Sequence, residues 1–172
     1  GDAPRLLSKN AAFASWIPLL LERFPEAHAV LCIREPLGAL SSQISAVRGA
    51  RTAFGTDPEG EMTRDCFVRF FERTYHGLAQ LSAGAGRISI VDQADMAADP
   101  AGMVRALLPR LGIEPSPRLR ATIADLRPRG DSAHHHSAEA QSIDPAVVES
   151  RIRPQYDLIR RSGARIVPPN ES

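Results

Sequence analysis

The stretch FPEAHAVLCIREPLGALSS, residues 24–42, decides the fold. Phe24-Pro25 closes a helix, because proline lacks the N–H that a continuing helix needs. Ala29-Val30-Leu31-Cys32-Ile33 is a short continuous apolar run, the pattern of a strand buried on both faces. Arg34-Glu35-Pro36 breaks that run, and Leu37, Leu40, Ile44 and Val47 then recur at helical spacing. Helix, buried strand and helix within so few residues form the unit of a parallel sheet.

Outward from this unit, the same alternation continues. Upstream, Ile17, Leu20, Leu21 and Phe24 mark the preceding helix. Residues Arg5 to Ser8 read as the end of a short strand, with Lys9 and Asn10 in the turn after it. Downstream, Arg48 to Glu61 is polar and contains Gly55, Asp57-Pro58 and Gly60, so it reads as a mobile loop. A long helix should carry Met62, Cys66, Phe67, Phe70, Phe71, Tyr75, Leu78 and Leu81 and end at Ala83-Gly84-Ala85-Gly86. Ile88 to Val91 is the next strand. Asp99 as N-cap and Pro100 at the first helical position open a helix with Met103, Val104, Leu107, Leu108 and Leu111 inward and Gly112 at its end. A short helix around Leu119 to Leu126 precedes Arg127-Pro128-Arg129-Gly130, and a final helix spans about Pro145 to Arg161. No internal repeat or dividing linker interrupts this order, which predicts one α/β domain over residues 1–172.

Composition narrows the partners. The 172-residue chain is 43% hydrophobic and 24% charged, ordinary values for a globular protein. Its formal charge of +1 argues against a broad nucleic-acid surface, so any anion site must be local. No apolar run approaches the roughly 18 residues of a membrane span. Cys32 in a strand and Cys66 on an apolar helix face read as buried thiols, which fits a reducing compartment and hence the cytoplasm. The chain opens with Gly1, not Met, and reaches a strand-like stretch within a few residues, which reads as a processed chain or a fragment rather than a complete protein.

Open parallel sheets bind ligands beyond the carboxyl ends of their strands. That rule places Lys9 and Arg34 on one edge, each just after a strand. Ser42 follows Arg34 by eight residues, roughly two turns into the next helix. A guanidinium at the strand end and a hydroxyl on the helix can converge on one phosphate, and the planar arginine fork suits that anion. An arginine after a strand also commonly pairs with a surface carboxylate, and spacing alone leaves both readings open.

The whole string narrows that choice. Phe24-Pro25-Glu26-Ala27, Val30, Arg34-Glu35-Pro36 and Ser42 together resemble the 3′-phosphate-binding segment of bacterial-type, nucleotide-dependent sulfotransferases. The similarity continues through Phe70, Phe71 and Tyr75, the strand Ile88 to Val91, Asp95-Met96, Asp99-Pro100 and Leu111-Gly112. It implies a three-layer α/β fold of the P-loop NTPase-like sulfotransferase kind, with a parallel sheet flanked by helices and an incomplete N-terminal side. It further implies that Arg34 and Ser42 hold the 3′-phosphate of 3′-phosphoadenosine 5′-phosphosulfate (PAPS), the sulfuryl donor. Lys9 would be the catalytic lysine, stabilising charge that builds on the leaving oxygen. Arg127, Arg129 and Gly130 match a basic-glycine loop that closes over the nucleotide. The acceptor would be a hydroxyl or amine on a small molecule or glycan, and no metal is implied.

Two departures from the family pattern stand out. Nothing before Lys9 can supply the Gly-, Ser- and Thr-rich loop whose backbone amides cradle the 5′-phosphosulfate, so the chain alone should be inactive or weakly active. The position two residues after the lysine, where many members carry a histidine base, is Ala11. His134, His135 and His136 are adjacent and cannot all face one ion from regular structure, and Asp92 and Asp95 read as structural. A kinase-like phosphoryl transferase is disfavoured, since no Gly-x-x-x-x-Gly-Lys-Ser/Thr loop is visible. The alternative from another class is a degenerate, non-catalytic domain that binds a phosphorylated ligand or a protein partner. An uncovered sheet edge would also favour self-association.

Overall fold

The computed structural model describes residues 7–8, 16–56, 62–83, 86–128 and 143–168. Helix α1 (Ile17–Arg23) leads into strand β1 (Ala29–Ile33), then α2 (Pro36–Ala53), α3 (Met62–Ser82) and strand β2 (Ile88–Asp92). Helices α4 (Gln93–Ala98), α5 (Pro100–Arg110), α6 (Pro117–Ala124), α7 (Pro145–Arg151) and α8 (Arg153–Arg161) complete the order. The two strands run parallel with Leu31 opposite Ile90 and Ile33 opposite Asp92. The far edge of β2 is closed by the chain's last described segment: Ile90 N–H donates to the Ala164 carbonyl, and Ile166 N–H to the Ile90 carbonyl, each at 2.8 Å. The result is a helix-rich α/β fold around a small parallel sheet.

The core lies on both faces of β2. On one, Ile88 and Ile90 meet Leu31 and Ile33 of β1, Leu40 and Ile44 of α2, Tyr75 and Leu78 of α3, and Tyr156 and Ile159 of α8. On the other, Val91 packs with Met103 of α5 and Ile166. Alternation along a strand sends successive side chains to opposite faces, so β1 inherits the same division, with a different outcome. Leu31 and Ile33 are buried, whereas Val30 and Cys32 are exposed. The expectation of a strand buried on both faces therefore fails for β1, since no described element covers Val30 and Cys32, whereas β2 is buried along its whole length with α5 over its second face.

Further expectations change. Cys32 and Cys66 are exposed free thiols rather than buried ones, and Phe70 on α3 is likewise exposed, because the inward stripe of that helix is Val68, Tyr75 and Leu78. Residues 48–53 continue α2 instead of opening a loop. Ala50 and Arg51 are good helix formers, and the helix stops where Gly55 adopts φ +67°. Asp95-Met96 lies within α4. The single C-terminal helix is two helices broken at Ile152, since Pro154 lacks an N–H for the Ser150 carbonyl and its ring would crowd it. Of the strand expected over Arg5 to Ser8, only Leu7 and Ser8 are described, and neither is in a strand. By contrast, Asp99 caps α5 through Gly102 N–H at 2.7 Å, with Pro100 in the first turn. Gly112 takes φ +59° just past its end, as the sequence indicates. No described helix is long and apolar enough to cross a membrane.

The amino-terminal end of the sheet carries a titratable contact. His28 Nε2 lies 2.8 Å from Oγ of the fully buried Ser89. Burial, with help from the Arg110 and Arg87 charges, pushes the His28 pKa below its ordinary 6.5. The unfolded chain then binds this proton more tightly than the folded one, so stability is fully present above pH 6.5 and falls as pH drops below it. The expected result is a melting temperature that declines below that pH more steeply for the parent than for His28→Gln.

Candidate functional site

The carboxyl end of β1 and the start of α2 form the site. Pro36 occupies the first helical position, where its missing N–H costs nothing, and Glu35 is the N-cap. The Glu35 carboxylate accepts from Leu37 N–H at 3.1 Å and Gly38 N–H at 2.7 Å. Those amides, which could otherwise face an anion, are thus taken by the protein's own carboxylate. Any ligand phosphate must rely on side chains here.

Arg34 supplies the first. A Cβ built on Gly38 would stand 3.5 Å from both Nε and Nη2 of Arg34 and 3.3 Å from Oε2 of Glu35. The guanidinium therefore lies across the first turn of α2, within van der Waals reach of the Gly38 position. Its main chain is fixed from behind: the Tyr75 hydroxyl of α3 donates to the Arg34 carbonyl at 2.7 Å. That hydroxyl sits in a buried ring cluster, stacked 6.1 Å from Phe71, and burial raises its pKa to about 12. Among the described residues, no hydrogen bond or ion pair engages the Arg34 guanidinium.

Ser42 is exposed on α2, four residues past Gly38. Residues four apart share a helix face, so Ser42 lies one turn along α2 from Gly38, the residue that the Arg34 fork crosses. Ser41 next to it is buried.

Helix α8 braces the same end of the sheet. Arg153 Nη2 donates to Glu35 Oε1 at 2.5 Å and to Glu149 Oε1 at 2.9 Å. Those bonds, the one to Glu149 first, hold the Arg153 pKa above its ordinary value. The Tyr156 hydroxyl donates to Oδ2 of Asp92, the last residue of β2, at 2.8 Å. Burial, then the hydrogen bond and charge of Asp92, raise the Tyr156 pKa. Arg160 Nε is 2.9 Å from the same Asp92 oxygen, yet lies off the hydrogen-bond direction, so this contact is ionic. Asp92 also caps α4 through Ala94 N–H, and Asp95 pairs with Arg165 at 2.6 Å. Both aspartates are held in structural contacts.

The remaining sequence candidates fall elsewhere. Arg127 follows α6 and donates to the Ala124 and Leu126 carbonyls at 2.7 and 3.1 Å, which makes it a cap on that helix. No hydrogen bond or ion pair among the described residues joins it to Arg34 or Ser42. Lys9, Ala11, Arg129, Gly130 and His134 to His136 lie outside the described residues. Among the described residues, no three His, Cys, Asp or Glu side chains gather as metal ligands would. Sequence reasoning missed the Glu35–Arg153 and Asp92–Tyr156 links. Glu35-Pro36 is visible as a helix start, but its partner is 118 residues away.

These features define an α/β protein with a cationic side chain presented at the carboxyl end of a parallel strand. The family model described as the sulfotransferase family matches residues 1–117, about two-thirds of the chain. The chain belongs to that family, which places it among the transferases of sulfuryl groups. No curated protein and no solved structure matches it.

Proposed function

We propose that this chain holds the 3′-phosphate of PAPS at Arg34 and Ser42, within a sulfotransferase acting on a hydroxyl or amine of a small-molecule or glycan acceptor. The observation that carries this reading is the Arg34 guanidinium, laid across Gly38 one turn along α2 from Ser42 and engaged by no carboxylate among the described residues. A planar cation and a hydroxyl donor so placed fit a phosphate that brings two negative charges and several acceptor oxygens. Glu35 cannot serve there: it is an acceptor and it already caps α2.

The donor, when bound, supplies the sulfuryl group, which leaves its phosphate oxygen for the acceptor while the acceptor loses a proton. Arg34 and Ser42 would anchor the nucleotide at a distance from that exchange, so their work is orientation. Lys9 is the residue proposed to meet charge on the leaving oxygen. Arg127 would have to leave its two carbonyls to join Arg129 and Gly130 over the nucleotide. A cytoplasmic setting accords with the two free thiols.

The test is titration calorimetry with adenosine 3′,5′-bisphosphate. Saturable binding is expected for the parent, weakened about 100-fold by Arg34→Ala, or ~2.7 kcal/mol, and less by Ser42→Ala, which removes one neutral hydrogen bond. No binding by a demonstrably folded parent would instead favour a non-catalytic domain for another ligand or a protein partner.

A further inference from the structure

The charge balance around Arg34 assigns a role to α8, a helix that lies outside the segment matched by the family model. Arg34 and Glu35 are neighbours of opposite sign, and their charged ends converge on the same point above Gly38. Two such groups, partly exposed and a short distance apart, would ordinarily pair. Here they do not. The Glu35 carboxylate is fully engaged instead, with Oε2 taken by Gly38 N–H and Oε1 shared between Leu37 N–H and Arg153. Arg153 is itself fixed by Glu149 one turn earlier and by its position over the Tyr156 ring, 5.5 Å from the centroid. Tyr156 is in turn anchored on buried Asp92. A rigid chain of contacts thus runs from the end of β2 through α8 to the N-cap of α2.

We propose that Arg153 is a positioning residue for the anion site: by neutralising Glu35 it keeps that carboxylate from capturing Arg34 and leaves the Arg34 fork available to a phosphate. The proposal rests on the reading of Arg34 as the 3′-phosphate ligand and deepens it. It acts in two ways. Without Arg153, Glu35 would draw the Arg34 guanidinium into an internal ion pair that a ligand must first break. The uncompensated carboxylate would also repel an incoming dianion across the same space. Arg153 does not touch the ligand in this account. Its effect passes entirely through Glu35.

That dependence gives a test which a general packing role does not meet. Four chains are compared by titration with adenosine 3′,5′-bisphosphate: the parent, Arg153→Gln, Glu35→Gln, and the Arg153→Gln/Glu35→Gln pair, with unfolding midpoints recorded for each. Arg153→Gln should weaken binding about tenfold. The double variant should return to within about twofold of the parent, because glutamine keeps a side-chain oxygen for the α2 cap while losing the charge. Arg153→Lys, which keeps the charge, should bind nearly as the parent does. Unchanged affinity in Arg153→Gln, or a double variant as weak as the single, overturns the proposal. If Arg34→Ala binds as tightly as the parent, the site reading itself falls, a distinct outcome. A second readout needs no ligand: the Arg34 Nε–H signal in nitrogen-15 spectra, assigned by its loss in Arg34→Lys. In Arg153→Gln it should shift and exchange more slowly as the Glu35 pair forms, and an unmoved signal overturns the proposal even if no nucleotide binds.

Discussion

Asp92→Ala should destabilise the fold by about 3 kcal/mol, the sum of three losses at a side chain that is 1% exposed. The Tyr156 hydroxyl, on a residue only 4% exposed, would lose its acceptor and be left without a partner. An unsatisfied buried donor of this kind costs roughly 1–3 kcal/mol. The N-cap of α4 would go as well, for about 1 kcal/mol. The third loss is smaller than a buried ion pair would suggest, because the Arg160 side chain is 39% exposed and can turn to water. Asp92→Asn separates these contributions. Its one oxygen keeps the Ala94 N–H cap, while its NH2 stands where Oδ2 did, a donor toward the Tyr156 hydroxyl and no counter-charge for Arg160, so its cost should fall between parent and alanine, at about 2 kcal/mol. Urea unfolding of the three chains, with m-values unchanged, measures both differences. An alanine variant within 1 kcal/mol of the parent would mean that this network does not hold α8 to the sheet.

The same residue marks the boundary of what could be read from sequence. Local signals transferred well. Helical spacing located α1, α3 and the first part of α2, the apolar runs located both strands, and Asp99-Pro100 and Gly112 bounded α5 because caps and left-handed stops are chemistry of adjacent residues. Burial did not transfer for Val30 and Cys32, since an apolar run reports what a strand could bury and not which neighbour covers it. The break at Ile152 was legible in principle from Pro154 and was hidden by apolar spacing that continues across it. At the proposed site, Arg34 and Ser42 could be nominated from sequence because they share one short segment with the strand end that carries Arg34. Glu35 as a cap held by Arg153, and Asp92 as the anchor of Tyr156, were not. Each joins residues brought together only after α8 packs on the sheet, and nothing in either short segment encodes the other. A resemblance that spans the front of the chain also gives no warning that a helix behind it braces the site.

Ile90→Ala should be the most damaging simple truncation, at about 4 kcal/mol, near the upper part of the range for deleting a buried aliphatic side chain. Ile90 is 0% exposed and packs in the larger core cluster, so the whole side chain is lost from an apolar setting. The size of the penalty depends on whether the surroundings can close over the gap, and here they are held apart. Leu31 faces Ile90 across the ladder, and the other edge is pinned by the bonds to Ala164 and Ile166 at 2.8 Å. Main-chain hydrogen bonds on both sides keep β2 from sinking toward α3 and α8, so the cavity should persist. Ile90→Val, which removes one methylene and keeps the branched shape, should cost only about 1 kcal/mol. Phe54→Ala provides the contrast: its ring is 83% exposed at the end of α2, and its removal should move stability by less than about 0.5 kcal/mol. Chemical denaturation of the three variants tests the ordering. Equal midpoints for Ile90→Ala and Ile90→Val would show that the two-stranded centre relaxes freely, and the rigidity attributed to the sheet, on which the placement of Arg34 depends, would have to come from the helices alone.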